Sequence, residues 1–314
     1  MSIPDETARA WAEVSLDALV ANARTVAGIS GARLLPMVKA NAYGLGAAMV
    51  ARALEAVDPW GFGVATVEEG SSLRAAGITR PILVFAPLHP RLISRYLAQD
   101  LRPTISDLNA LDGWSAEGSN PFHVEVDTGM SRTGFRWDDR SDWQNRLRSA
   151  PGLEGVFTHF YAAESDSRSV DTQWERLQQV VASLPGKGVL VHAANSAAAL
   201  RGRAYAGDLV RPGIFLYGGD AGGPTPQPVV TLRARVVATR RIKPGDTVSY
   251  GATWTATAET LIATLGIGYA DGIPRSLGNS GIVELNGKLA PVVGRVTMDF
   301  TMVACDGPCD VGDV

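Results

Sequence analysis

The 314-residue chain holds two cysteines and four histidines, and it has neither a dense run of Lys/Arg nor an apolar stretch of membrane-spanning length. Each shortage excludes something. Cys305 and Cys309 sit close together in CDGPC, where a bridge would close too short a loop to restrain much of the unfolded chain. With no second cysteine pair and no nearby histidine to complete a zinc site, they read as incidental thiols in a turn. A formal net charge of -3 without basic clusters leaves no electrostatic footprint for nucleic acid or an anionic membrane, so a small molecule is the expected ligand. The opening MSIPDETARAWAEV lacks the basic and apolar regions of a signal peptide, which points to a cytoplasmic protein. What is present, 46% hydrophobic and 19% charged residues, describes a globular chain able to bury a substantial core.

From about residue 34, apolar runs alternate with segments of helical periodicity. The runs are LLPMV, GFGVAT, PILVFA, LRPTIS, FHVEVD, LEGVFT, GVLVHA and DLVRPGI. Between them, Ala47, Val50, Ala51, Leu54 and Val57 mark one apolar helix face, and Val170, Trp174, Leu177, Val181 and Leu184 mark another. Eight strands, each followed by a helix, predict a (β/α)8 barrel of the α/β class. After Gly218 the turn-rich GGDAGGPTPQP leads into alternating, β-branched segments punctuated by KPGD, ADG and NG turns. The expected organisation is a barrel domain over 1–228 and a smaller, mostly β domain over 229–314, with the first residues candidates to pair with the second domain.

In such a barrel the chemistry lies where strands end, and here the polar residues line up. The first run ends on Lys39, the fifth leads into DTGMSRTG with Arg132, the sixth into His159, the seventh into Asn195 and Ser196, and the eighth into Arg211, Gly213 and Ile214. Taken singly, Lys39 would be a snorkelling surface lysine and Ser196 a helix N-cap. Taken together, they suggest more. Loops after strands seven and eight with a helix N-terminus between them commonly hold a phosphate, and Gly213 lets backbone approach closely. A lysine and an anion site on one rim suggest pyridoxal phosphate, whose aldehyde needs a lysine Schiff base and whose phosphate needs a cradle.

VKANAYGLG, which contains Lys39, resembles the cofactor-attachment segment of alanine racemases. RAWAEVSLDAL, DTGMSRTG, GVFTHF, ANSAAAL, RPGIFLYG, VSYGATWTA, GYADGIPR and GRVTMDF resemble that family's segments, in its order. The resemblance implies a pyridoxal-phosphate-dependent isomerase interconverting L-alanine and D-alanine, with Lys39 and Tyr250 as bases on opposite faces of the α-carbon. It implies cofactor contacts from Tyr43, His159, Asn195, Ser196, Arg211, Gly213 and Ile214, and substrate contacts from Arg132, Met298, Asp299 and Tyr269. A phenol acts as a base only where cationic or hydrogen-bonding neighbours favour phenolate, a task the resemblance gives to His159 and Arg211. It further implies a homodimer in which one chain's β domain completes the other's barrel mouth, and a role in supplying D-alanine for peptidoglycan.

The departures from the family are specific. Glu125 stands where a lysine, commonly carbamylated, often precedes the DTGM aspartate, and is expected to supply the negative charge beside Arg132. Leu45 replaces the usual histidine and Thr297 a frequent cysteine. Family members run several tens of residues past the final GDV, so the β domain is expected to be incomplete, lacking its last strands and a tyrosine that helps bind the phosphate, with exposed strand edges as a consequence. Two other readings share the barrel: a broad-specificity amino-acid racemase, and a decarboxylase of basic amino acids, against which the Tyr250 segment argues. Two more are a cofactor carrier of one barrel only, against which the β segment after residue 228 stands, and an inactive truncated homologue that binds the cofactor without turnover.

Overall fold

The computed structural model describes residues 7–139, 142–165, 167–184 and 188–314. Their contacts divide the chain into two compact units, Val14–Val229 and a second in which the stretch ending at Glu13 joins Val230–Val314.

In the first unit the eight apolar runs become the strands Arg33–Leu34, Phe62–Val64, Ile82–Pro87, Arg102–Ile105, Phe122–Asp127, Leu153–Phe157, Leu190–His192 and Leu209–Val210. Each later strand pairs in parallel with its predecessor from Phe62 onward, and Leu209 and Val210 pair with Arg33 and Leu34. A parallel bridge between Met37 and Gly63 joins the first strand to the second, so the sheet closes on itself as a barrel. The short strand Phe135–Arg136 returns against Val126 and Asp127 of the fifth strand, turning DTGMSRTG into a tight excursion at the strand's end.

The helices follow the predicted stripes. Ala47–Leu54 buries Val50, Ala51 and Leu54, and Ser167–Ser183 buries Val170, Leu177 and Val180. Each such aliphatic side chain contributes about 1.5–3 kcal/mol on leaving water, and Leu54→Ala would cost about 2–5 kcal/mol because the packed site cannot fully collapse. One expectation is corrected: the eighth strand is followed by a 3-10 turn, Ile214–Tyr217, and not by an α-helix. The helix Leu16–Ser30, which precedes the first strand, packs there instead. Its buried Asn22 donates to the carbonyls of Leu216 and Gln227 and accepts from the Gln227 amide, stitching the chain's entry into the barrel to its exit.

The second unit is mostly β. Val236–Ile242, Thr260–Leu265 and Thr301–Cys305 form an antiparallel sheet, Ile282–Leu285 and Lys288–Pro291 form a hairpin, and Ala10–Val14 pairs with Val230–Ala234. The hairpin turns at Asn286–Gly287, both with positive φ (51° and 74°), the geometry that an NG pair adopts most easily.

Candidate active site

The first strand runs into Lys39, and the chain then does something costly. Ala40, Asn41, Ala42 and Tyr43 all take left-handed backbone angles, with φ of 52°, 53°, 54° and 57°. Left-handed geometry costs a non-glycine residue roughly 1–2 kcal/mol, so a run of four persists only if the surroundings hold it. The Ala42 amide donates to Val38 O at 2.8 Å, the Gly44 amide to Ala40 O at 2.9 Å and the Ala47 amide to the Asn41 side chain at 2.9 Å. The Glu69 carboxylate accepts from the Ala40 amide at 2.7 Å and, with its other oxygen, from the Ala65 amide at 2.7 Å. The turn sets Lys39 at the barrel rim and carries Tyr43 back over it, where its ring stacks on Tyr217 at a centroid distance of 4.4 Å.

One cavity of about 220 Å³ at that rim is lined by Lys39, Tyr43, Arg132, His159, Asn195, Ser196, Arg211, Gly213 and Ile214. These are all of the barrel residues expected to contact cofactor or substrate, drawn from the ends of strands one, five, six, seven and eight. Met37, Phe85 and Glu164 complete the lining.

The rim after strands seven and eight is a cradle. The N-cap of the short helix Ser196–Ala199 is Asn195, whose side chain accepts from the Ala198 amide at 3.0 Å, and not Ser196 as the sequence suggested. The buried Ser196 hydroxyl oxygen instead accepts from the Gly213 amide at 2.9 Å, tying the two loops together. A Cβ at Gly213 would lie 2.4 Å from the Tyr43 hydroxyl, so only glycine lets the tyrosine reach the backbone here.

Arg211 forms the cavity's base and is 3% exposed. Its guanidinium donates to Thr158 O at 2.8 Å, Ala193 O at 2.9 Å, His192 Nδ1 at 2.7 Å and His159 Nδ1 at 3.2 Å. Burial lowers its pKa to about 9, so it remains charged at neutral pH. Because arginine only donates, His192 Nδ1 must accept, and its Nε2–H then donates to His123 Nδ1 at 2.8 Å. The His123 Nε2–H in turn meets Glu154 Oε2 at 3.2 Å. A head-to-tail chain thus runs through the barrel interior from Arg211 to a carboxylate near the opposite end of the strands. Burial, and then the Arg211 charge, hold His192 well below the usual histidine pKa; burial likewise lowers His123. His159 is held at about 3 by burial first and then by the charges of Arg211, Arg132 and Lys39. It is therefore neutral at physiological pH.

At the fifth strand's end the Asp127 side chain accepts from the amides of Gly129 and Ser131 at 2.9 and 3.0 Å, shaping the DTGMSRTG loop. Glu125, 5% exposed, accepts from the Thr133 hydroxyl at 2.7 Å and stands 3.8 Å from the Arg132 guanidinium.

The remaining predicted residues belong to the second unit. Tyr250 begins a 3-10 turn, Tyr250–Ala252, and is 72% exposed. Ser249 before it, at φ 65°, is tied by its hydroxyl to Arg295 O at 2.7 Å. The amides of Tyr269 and Ala270 donate to the carbonyls of Thr297 and Met298. Residues 295–298 thereby anchor both the Tyr250 turn and the Tyr269 turn. Tyr269, Met298 and Asp299 are all exposed. Sequence reasoning missed Glu69, His123, Glu154 and His192. The signal for the histidines was a polar residue within an otherwise apolar run, and for Glu69 a T-x-x-E pattern that reads as an ordinary helix start.

The residues fit pyridoxal phosphate. The rim carries an exposed amine, two hydroxyls against a bare glycine backbone, and a buried guanidinium, whereas no group of three or more His, Cys, Asp or Glu among the described residues could hold a metal. Fold and site together define a barrel enzyme of the pyridoxal-phosphate-dependent class. Residues 14–221 match the model of the alanine racemase N-terminal domain, and 229–314 that of the C-terminal domain. An alanine racemase of Carboxydothermus hydrogenoformans is 39% identical over 313 residues, spanning 94% of this chain and 85% of that protein. One of Deinococcus radiodurans is 39% identical over 97% of this chain and 87% of its own. The crystal structure of the Bartonella henselae alanine racemase with covalently bound pyridoxal phosphate superposes with a TM-score of 0.87 at 31% identity, covering 98% of this chain and 89% of that one. The chain belongs to the alanine racemase family, and is an isomerase acting on amino acids with pyridoxal phosphate as cofactor.

Proposed function

We propose that the chain interconverts L-alanine and D-alanine in the cytoplasm, supplying D-alanine for peptidoglycan, with Lys39 and Tyr250 as the two proton-transfer groups of a site shared between the chains of a homodimer. The observation that carries this reading is the single cavity that joins Lys39 to Arg211 and to the Ser196–Gly213–Tyr43 cradle. Racemisation removes a proton from one face of the α-carbon and returns one to the other, so it needs a group on each face. Lys39 Nζ serves one face and Tyr250 Oη the other, each taking a proton in one direction of reaction and giving one in the reverse. Tyr43, Ser196, Asn195, Gly213 and Ile214 would hold the cofactor phosphate, and Arg211 would meet the ring.

Pyridoxal phosphate, when bound, supplies the electron-withdrawing ring that makes the α-proton acidic. Arg211 donates without accepting, so it leaves that ring a weaker electron sink and favours simple return of the proton over other outcomes. In a shared site His159, being neutral, would present a ring N–H dipole and no full charge to the Tyr250 phenol. Arg132, Met298 and Asp299 would face the substrate carboxylate, with Tyr269 narrowing the entrance to a methyl-sized side chain.

Pure D-alanine incubated with the protein and pyridoxal phosphate should yield L-alanine. Lys39→Ala and Tyr250→Phe should each lower turnover by about 10²–10⁴-fold. In deuterated water Lys39→Ala should stop exchange of the α-proton of one enantiomer, and Tyr250→Phe that of the other. Turnover unaffected by either substitution would refute the assignment, and serine accepted as readily as alanine would favour the broad-specificity alternative.

A further inference from the structure

We infer that Glu69 is a positioning residue for Lys39, holding the strained turn that aims the lysine into the site; this rests on the functional reading above. Thr66, Val67, Glu68 and Glu69 spell a capping box, in which the fourth residue's carboxylate would normally return to the amide of the first. Half of that pattern is present: the Thr66 hydroxyl accepts from the Glu69 amide at 3.3 Å. The Glu69 carboxylate goes elsewhere. One oxygen takes the Ala65 amide at the end of the second barrel strand, and the other takes the Ala40 amide, each at 2.7 Å.

Ala40 directly follows Lys39 and is the first residue of the left-handed run. The two amides come from the two strands whose seam, Met37 to Gly63, closes the barrel. Glu69 therefore clamps the backbone on both sides of that seam. A carboxylate binding amides is a charge-assisted acceptor, stronger than a neutral carbonyl in the same place, and it can take one amide on each oxygen. Glutamine keeps the shape but has a single acceptor oxygen, so it must release either Ala40 or Ala65. If Ala40 is released, φ near +52° loses its external tether, and Lys39 and Tyr43, at the two ends of the turn, shift together.

The test compares Glu69→Gln and Glu69→Ala with Thr66→Ala, which removes the helix cap and leaves the clamp in place. The apoproteins are titrated with pyridoxal phosphate, following the visible absorbance of the lysine linkage, and deuterium uptake is measured in the peptide spanning 38–46. Misplacing a reacting group by about an ångström costs on the order of a hundredfold. Glu69→Gln should accordingly weaken cofactor uptake by about tenfold and Glu69→Ala by about a hundredfold. Both should accelerate exchange in 38–46, and both should lower kcat with the KM for D-alanine little changed. Thr66→Ala should lower melting temperature without these effects. Uptake and exchange equal to wild type in both Glu69 variants, or losses matching those of Thr66→Ala, would overturn the inference. Wild-type protein that takes up no cofactor would overturn the functional reading and this inference with it.

Discussion

The two units hold their chemistry in opposite ways. In the barrel, Arg211, His192 and Ser196 are buried and cross-tied, and a glycine contact fixes Tyr43 against the cradle. In the β unit the candidate groups point outward: Tyr250 is 72% exposed and Met298 55%, although the loops that carry them are well anchored. Half of the proposed site is thus an open cavity with a buried, cross-tied lining, and the other half is a set of side chains displayed on anchored loops. Anchored backbone with displayed aromatic and acidic side chains is what a unit needs if its targets lie on another chain. The contrast makes the homodimer a concrete hypothesis about which half comes from where.

Mixing variants offers the largest effect. Lys39→Ala protein and Tyr250→Phe protein are each expected to keep no more than about a hundredth of wild-type turnover. If each site combines one chain's barrel with the other chain's β unit, mixed dimers contain one site with both bases intact, and exchange of subunits should restore about a quarter of wild-type activity. If both bases of a site come from one chain, the mixture stays at that level. Racemase assays before and after subunit exchange decide between the two.

Glycines sharpen the same comparison. Gly213→Ala would press a methyl against the Tyr43 hydroxyl at 2.4 Å, and Tyr43 cannot yield freely because it stacks on Tyr217. Overpacking of this kind costs about 1–3 kcal/mol, which corresponds to roughly a tenfold to hundredfold loss of cofactor affinity if the strain falls on the cradle. Gly287→Ala, at φ 74° with open space around it, should cost about 1 kcal/mol of stability and leave cofactor titration unchanged.

Much of this was legible in the sequence. All eight barrel strands and the NG hairpin could be placed because apolar runs and turn residues report local geometry directly. Lys39, Arg132, His159 and Arg211 could be found because a polar residue at a strand's end is conspicuous. The interior chain could not. His123 and His192 lie inside apolar strands, and their meeting with Arg211 and Glu154 depends on curvature that brings residues from four strands together across the barrel. The left-handed turn was equally hidden: Ala40, Asn41 and Ala42 carry no glycine to announce positive φ, and the glutamate that helps hold them is distant in sequence. The missing eighth helix escaped because RPGIFLYG has no polar face to distinguish a 3-10 turn from a short helix.

Acid should act on the barrel first. His123 and His192 are fully buried, and both are shifted below the ordinary value near 6.5. Below that pH the unfolded chain binds protons that the folded one refuses, so stability is complete above about 6.5 and is lost as pH falls, by about 1.4 kcal/mol per histidine for each pH unit until the folded-state value is reached. Urea midpoints at pH 7 and pH 5, followed by a probe in each unit, should fall more steeply for the barrel. His192→Asn should flatten the barrel's pH dependence even though it breaks the Arg211 chain and lowers stability at pH 7. Equal slopes in wild type and variant would show that these histidines are not the source.

The smallest effect is expected at Glu125, the residue that stands in the barrel where the family often carries a modified lysine. Its carboxylate is 3.8 Å from Arg132, too far for a strong hydrogen bond, and Arg132 itself is about half exposed, so the pair resembles a surface ion pair with one end buried. Such pairs are worth at most about 1 kcal/mol. Glu125→Gln preserves shape and can still accept from the Thr133 hydroxyl, which leaves the loop intact and removes only the charge. The expected outcome is a fall in kcat/KM of about fivefold or less, with cofactor affinity unchanged, since that free energy corresponds to no more than this factor. A loss of several hundredfold would mean that Glu125 acts on the buried Arg211 as well, whose protonated form its charge favours, and would transfer the residue from substrate orientation to the electrostatics of the cavity's base.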